Sequence, residues 1–162
     1  RFGTQYTTRL GIRLEKTFEY IDTPHKFKMG VSGCPRSCVE SGVKDFGIIS
    51  VENGFQIYIG GNGGTEVEKA EFLTTVETED EVIKLCGALM QYYRETGIYA
   101  ERTAPWLRRL GFENVKEVLL APERQNELFE RIMDAKKAVE AEPWEAITSN
   151  AQARKIFEVE KV

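Results

Sequence analysis

The sequence predicts an α+β fold, a mixed or antiparallel sheet covered by helices, and three patterns carry that reading. Two β-rich runs, 46–51 and 55–59, flank Glu52-Asn53-Gly54, and an Asn-Gly pair between apolar runs is a strong hairpin signal. Thr78-Glu79-Asp80-Glu81 matches a capping box, and the helix it opens carries Val82, Leu85, Cys86, Leu89, Met90 and Tyr93 on one stripe. After Pro122 an amphipathic pattern through Leu128, Ile132, Ala135 and Val139 predicts a longer helix to about residue 140.

The remaining elements follow in chain order. Leu10, Leu14 and Phe18 recur every four residues and predict a short helix over 7–18, broken at Thr23-Pro24. Phe27, Met29 and Val31 alternate with Lys28, Gly30 and Ser32, which reads as a strand running into Cys34. Pro35 cannot continue a strand but suits the first turn of a helix, so a short helix is expected over 35–42. That helix would set Cys34 and Cys38 on neighbouring turns near unpaired N–H groups, which stabilise thiolates. A fourth strand is expected over 72–76, and Gly97 closes the capped helix. Shorter helices are expected over 105–110 and 115–120. The segment from Trp144 is polar and is expected to fray or pack peripherally. The organisation expected is a lead-in over 1–25, a central unit over 26–110 and a helical extension over 111–162.

Composition narrows the function. The 162 residues carry 41% hydrophobic and 30% charged side chains, an ordinary balance for one soluble domain with a sizeable core. The net charge of −4, with no Lys/Arg block, argues against nucleic acid as a partner. No apolar run approaches the roughly 18 residues of a membrane span. Three cysteines, Cys34, Cys38 and Cys86, are too few and too odd for a disulfide framework and suit a reducing, cytoplasmic setting. Cys86 lies on a helix stripe and reads as a small core residue. The lone His25, in a polar segment, reads as a loop histidine and excludes a zinc site built from histidines. The first residue is Arg1 and no signal peptide precedes it, so a piece of a longer polypeptide is expected.

Chemistry concentrates in Ser32-Gly33-Cys34-Pro35-Arg36-Ser37-Cys38-Val39-Glu40. Zinc sites and thioredoxin-type pairs more often separate their cysteines by two residues, whereas half of an iron–sulfur ligand set fits this glycine-rich context best. Two ordinary cysteines beside a turn is the plain alternative. Gly60-Gly61-Asn62-Gly63-Gly64 suits either a flexible connector or a cradle that brings backbone close to an anion. Its glycine spacing does not match a nucleotide fingerprint.

The run from Met29 to Cys38, followed by Gly42 and Phe46-Gly47, resembles the second cysteine pair of the siroheme-dependent nitrite and sulfite reductases. Ile57-Tyr58-Ile59-Gly60-Gly61-Asn62-Gly63-Gly64 resembles that family's strand and Gly-Gly-Asn loop. Glu101-Arg102-Thr103-Ala104-Pro105-Trp106 and the tail through Pro143-Trp144 look like the branch formed by large subunits of bacterial assimilatory NAD(P)H nitrite reductases. The resemblance implies a 4Fe-4S domain fold and a coupled siroheme and 4Fe-4S centre that reduces nitrite to ammonia by six electrons, in the cytoplasm, as part of nitrate assimilation. It makes Cys34 a cluster ligand and Cys38 the ligand that also bridges to the siroheme iron. It brings Gly60, Gly61 and Asn62 close to the macrocycle or its carboxylates, and Arg36 pairs with a carboxylate or lies on the surface. In that family an earlier Cys-x5-Cys pair completes the set, and no cysteine precedes Cys34 here. The chain is therefore expected to be inactive alone and to carry neither cofactor. The preceding part of the polypeptide would supply FAD and NAD(P)H, and a small subunit is a possible partner. A sulfite reductase fragment, or a non-catalytic metal-binding module using Cys34 and Cys38, are the alternatives.

Overall fold

The computed structural model describes residues 3–140 and 149–154. Helix α1 (Thr7–Phe18) leads into strand β1 (Met29–Ser32), and a single 3₁₀ turn (Ser41–Val43) precedes β2 (Phe46–Val51) and β3 (Gly54–Ile59). Two short strands, β4 (Asn62–Gly63) and β5 (Val67–Glu68), pair with each other before β6 (Glu71–Val76). Helices α2 (Glu79–Thr96), α3 (Thr103–Leu110), α4 (Phe112–Leu120) and α5 (Pro122–Glu140) follow, and one turn, α6 (Ala151–Arg154), ends the described chain. The main sheet runs β1-β2-β3-β6. β2, β3 and β6 are antiparallel neighbours, whereas β1 pairs with β2 in parallel, with Met29 opposite Phe46 and Gly30 opposite Gly47. The α+β class and the mixed sheet are as the sequence predicts.

A parallel pair needs a crossover, and this one is short and irregular: residues 33–45, the cysteine-bearing segment. The helix expected over 35–42 does not form. Two successive tight turns replace it, closed by Ser37 N–H to the Cys34 carbonyl (3.1 Å) and Glu40 N–H to the Ser37 carbonyl (2.8 Å). Ser37 (φ 50°) and Glu40 (φ 56°) both occupy the left-handed region, which no helix accommodates. The cause is proximity. The crossover lies directly on the strands, where a β-carbon at Gly47 would land on the Ser41 carbonyl oxygen. An α-helix, about 10 Å across with its side chains, cannot lie that close to a strand backbone.

The other face of the sheet meets the helices. Phe46, Ile48, Ile57, Ile59 and Leu73 join the buried face of α2 and the inner residues of α1, α3, α4 and α5 in one core. Every member of the predicted α2 stripe is buried, Cys86 fully so, and burial pushes its thiol well up. Thr78 caps α2 as expected: Glu81 N–H donates to its hydroxyl (3.2 Å), and Thr78 N–H donates to the Glu81 carboxylate (2.9 Å).

The stripe expected on α5 holds at Leu128 and Ile132 but ends there, with Val139 45% exposed. Lys136 is buried in its place. Its ammonium donates to the Glu19 carbonyl (3.0 Å), pairs with Glu140 (3.2 Å) and lies 5.5 Å from the Tyr20 ring centre. The C-terminal ends of α1 and α5 are thereby tied by a satisfied cation. The reading of the polar tail from Trp144 falls largely outside the described residues. Among those described, no helix is long and apolar enough to cross a membrane.

Carboxylates at the helix ends make this packing acid-sensitive. Burial raises the Glu79 pKa, but hydrogen bonds from Arg13 (2.6 Å) and Arg9 (3.1 Å) outweigh it and leave the pKa lowered. The Thr78 hydroxyl and N–H lower the Glu81 pKa, and the Arg109 hydrogen bond lowers that of Glu101. A carboxylate lowered in the folded state contributes stability above its unfolded value and loses it as pH falls through the folded one. The urea midpoint should therefore be insensitive to these groups between pH 5 and 7 and fall below about pH 4.3. A midpoint unchanged from pH 5 to pH 3 would contradict these pairings.

Candidate functional site

The site is assembled where the crossover meets the glycine loop. Cys34 follows the end of β1 by two residues and is half-buried, Cys38 is exposed, and both are free thiols. The peptide before Cys34 is fixed from the N-terminal side, since the Gly33 carbonyl accepts from Thr4 N–H (2.7 Å) and the Thr4 hydroxyl (3.2 Å). Arg36 is exposed between the two cysteines. The return limb is fixed from below. Buried Ser41 places its hydroxyl 2.8 Å from the Ser32 hydroxyl, 3.1 Å from the Gly30 carbonyl and 3.0 Å from the Ile48 carbonyl.

The glycine loop closes against the end of this crossover. Gly60 N–H donates to the Asp45 carbonyl (3.1 Å) and Gly61 N–H to the Lys44 carbonyl (2.9 Å). A β-carbon on Gly61 would stand 2.7 Å from both the Lys44 oxygen and the Val43 carbonyl carbon, so only glycine allows this contact. The expectation that these amides face a cofactor anion is thus modified: both are spent on the crossover. The Asn62 side-chain amide donates to the Glu66 carbonyl (2.8 Å), shaping the β4–β5 ribbon. Between ribbon and crossover opens a groove of about 510 Å³ lined by Ser37, Glu40, Gly42, Val43, Gly63 and Val67. Ser37 and Glu40 flank Cys38 in sequence. Ser37 and Glu40 from the cysteine motif and Gly63 from the glycine loop thus share one groove, whereas Cys34, Arg36, Cys38, Gly60, Gly61 and Asn62 are not among its lining residues.

One residue the sequence reading passed over anchors the whole arrangement. Asp45, fully buried, closes the crossover. Its carboxylate accepts from Lys28 N–H (2.8 Å), from Arg102 Nη2 (2.8 and 3.0 Å to its two oxygens) and from the Thr103 hydroxyl. Tyr93, whose hydroxyl donates to the Glu101 carbonyl, is pushed up to about 12 by burial and then by the Asp45 charge. The available signal was an acidic residue directly before an apolar strand, matched by Arg102-Thr103 in the segment that pointed to a family branch.

Cys34 and Cys38, in two successive turns of the crossover, are free thiols, the soft donor type of iron–sulfur ligand sets. Among the described residues, no group of three or more His, Cys, Asp or Glu side chains is gathered as for a metal ion.

Comparison with known proteins identifies the family. Residues 3–127 match the family model described as the nitrite and sulphite reductase 4Fe-4S domain. A protein of Bacillus subtilis (strain 168) named nitrite reductase [NAD(P)H] is 48% identical over 98% of the chain, which spans 20% of that protein. The nitrite reductase (NADH) large subunit of Escherichia coli (strain K12) is 40% identical over 74% of the chain and 14% of its own length. The chain thus spans a fifth or less of these relatives. The solved structure of Mycobacterium tuberculosis NirA shares the fold, with a TM-score of 0.62 and 22% identity over 72% of this chain and 23% of that one. With its cysteine crossover and glycine loop meeting at one groove and its match to the family model, this chain belongs to the nitrite and sulphite reductase 4Fe-4S domain family.

Proposed function

We propose that this chain forms one wall of a coupled siroheme and 4Fe-4S centre that reduces nitrite to ammonia within a larger NAD(P)H-dependent enzyme. The observation that carries the reading is the 48% identity to a nitrite reductase over nearly the whole chain, which places the Cys34–Cys38 motif within the matched 4Fe-4S domain. Cys34 would hold the cluster, and Cys38, the more exposed thiol, would hold it and reach the siroheme iron. When bound, the paired centre would relay electrons from NAD(P)H to nitrite. This chain's own task is positional. Gly60, Gly61 and Asn62 would support the wall facing the macrocycle, and Arg36 would pair with one of its carboxylates.

The remaining cluster ligands would come from the preceding part of the same polypeptide, with FAD and NAD(P)H bound in its other domains and a small subunit as a further partner. In this reading residues 26–110 form the cofactor-bearing unit and 111–162 an extension. The setting is the cytoplasm, and the isolated chain should be inactive. Nitrite is favoured over sulfite because the chain is 48% identical to the Bacillus nitrite reductase and 30% identical to an assimilatory-type sulfite reductase.

The test is Cys38→Ser in the full-length enzyme. It should abolish the coupled spectrum of siroheme and cluster, and with it six-electron nitrite reduction. Normal nitrite reduction by that variant would defeat the assignment of Cys38.

A further inference from the structure

The cysteines stand in a segment whose two ends are joined by a pair of buried hydroxyls. Ser32, 3% exposed, ends β1 two residues before Cys34, and Ser41, fully buried, opens the 3₁₀ turn three residues after Cys38. Their oxygens are 2.8 Å apart. The direction of that bond follows from proton counting. A serine hydroxyl has one proton, and the Ser41 oxygen also lies within reach of two carbonyls, Gly30 (3.1 Å) and Ile48 (3.0 Å), which can only accept. The arrangement that makes every one of these contacts a hydrogen bond has Ser41 donating to the strands and Ser32 donating to Ser41. The link runs from the outgoing strand, across the mouth of the turn, to the returning limb.

Between these hydroxyls the backbone holds two non-glycine residues in the left-handed region, Ser37 and Glu40. Such residues persist only where the surroundings over-determine them. Each takes part in two backbone turn hydrogen bonds: Ser37 donates to Cys34 and accepts from Glu40, and Glu40 donates to Ser37 and accepts from Val43 (3.0 Å). The Ser32–Ser41 link closes the ten-residue span that contains both.

We propose that Ser32, donating to Ser41, is a positioning residue for the cysteine pair, and that this link holds the Cys34–Cys38 turn in its ligand-presenting form before any cofactor arrives. The proposal deepens the reading of Cys34 and Cys38 as cluster ligands. Ser32→Ala cuts the link without stranding a donor, because the Ser41 proton keeps its two carbonyl acceptors. The consequence is local: the turn opens more often while the sheet and core stay closed.

The experiment uses the full 162-residue chain. Amide hydrogen exchange is followed at Ser37 and Glu40, and alkylation by iodoacetamide is followed at each cysteine by mass spectrometry. In the parent chain Cys38 should react first, half-buried Cys34 more slowly, and Cys86 only on unfolding. In Ser32→Ala, exchange at Ser37 and Glu40 and alkylation of Cys34 should each accelerate about tenfold, the effect of losing one hydrogen bond from a local opening. Cys86 should stay unreactive, and Ser32→Thr, which keeps the hydroxyl, should restore the slow rates. Unchanged rates in Ser32→Ala would overturn the proposal. So would Cys86 becoming reactive, since the link would then support the fold and not the turn. None of these outcomes depends on cluster loading, so failure here is distinct from retention of activity by Cys38→Ser in the full-length enzyme.

Discussion

The Asp45 carboxylate is the point on which the rest of the structure depends. It is a buried charge, and a buried charge survives only when paired and hydrogen-bonded. Its partners come from two places in the chain: Lys28 N–H just before β1, and Arg102 with the Thr103 hydroxyl at the start of α3. Its own carbonyl accepts from Gly60. One residue therefore sets the starts of both parallel strands, docks the α2–α3 connection and seats the glycine loop. Removing one partner of such a pair typically costs about 3–5 kcal/mol, because the other charge is left stranded in a low-dielectric site. The cysteine crossover is the segment that Asp45 terminates, so its path is fixed at that end by the charge cluster and at the other by Thr4 on the Gly33 carbonyl.

This explains why the motif glycines sit where they do. The crossover lies flat on the sheet only because Gly47 offers no side chain beneath Ser41, and the glycine loop closes on the crossover only because Gly61 offers none above Val43 and Lys44. The groove lined by Ser37, Val43 and Gly63 is thus a gap between two backbone layers pressed together at one end. Function follows as geometry: soft thiols are presented on a turn whose two limbs are tethered to a rigid sheet.

Local patterns in the sequence were sufficient for most elements. The four-residue spacing of Leu10, Leu14 and Phe18 gave α1 to the residue, and the Thr78–Glu81 box gave the start of α2, because each signal acts within one or two turns. The hairpin formed where expected, although Glu52 and Asn53 are its two loop residues and Gly54 already pairs with Val51. Pro35 misled because its preference for a first helical turn is local, whereas the path of residues 33–45 is dictated by contact with two strands. Asp45 and Ser41 were illegible for the same reason: their partners lie 57 and 58 residues away for the carboxylate, and across a parallel strand pair for the hydroxyl. Val139 shows the converse, a stripe continued by pattern after the core had ended, where Lys136 found partners instead. The candidate site was legible as two motifs; their meeting at one groove was not, because it depends on a sheet order that no local pattern encodes.

The central claim is that Cys34 and Cys38 hold one side of a cluster completed by residues outside this chain. Its most direct test is anomalous scattering at the iron edge from crystals of the full-length enzyme. The account expects cluster iron within bonding distance of both Sγ atoms, with Cys38 Sγ shared by the siroheme iron and the remaining ligands drawn from the preceding polypeptide. Cluster iron bound away from Cys34 and Cys38, or a siroheme iron that does not share Cys38 Sγ, would contradict it.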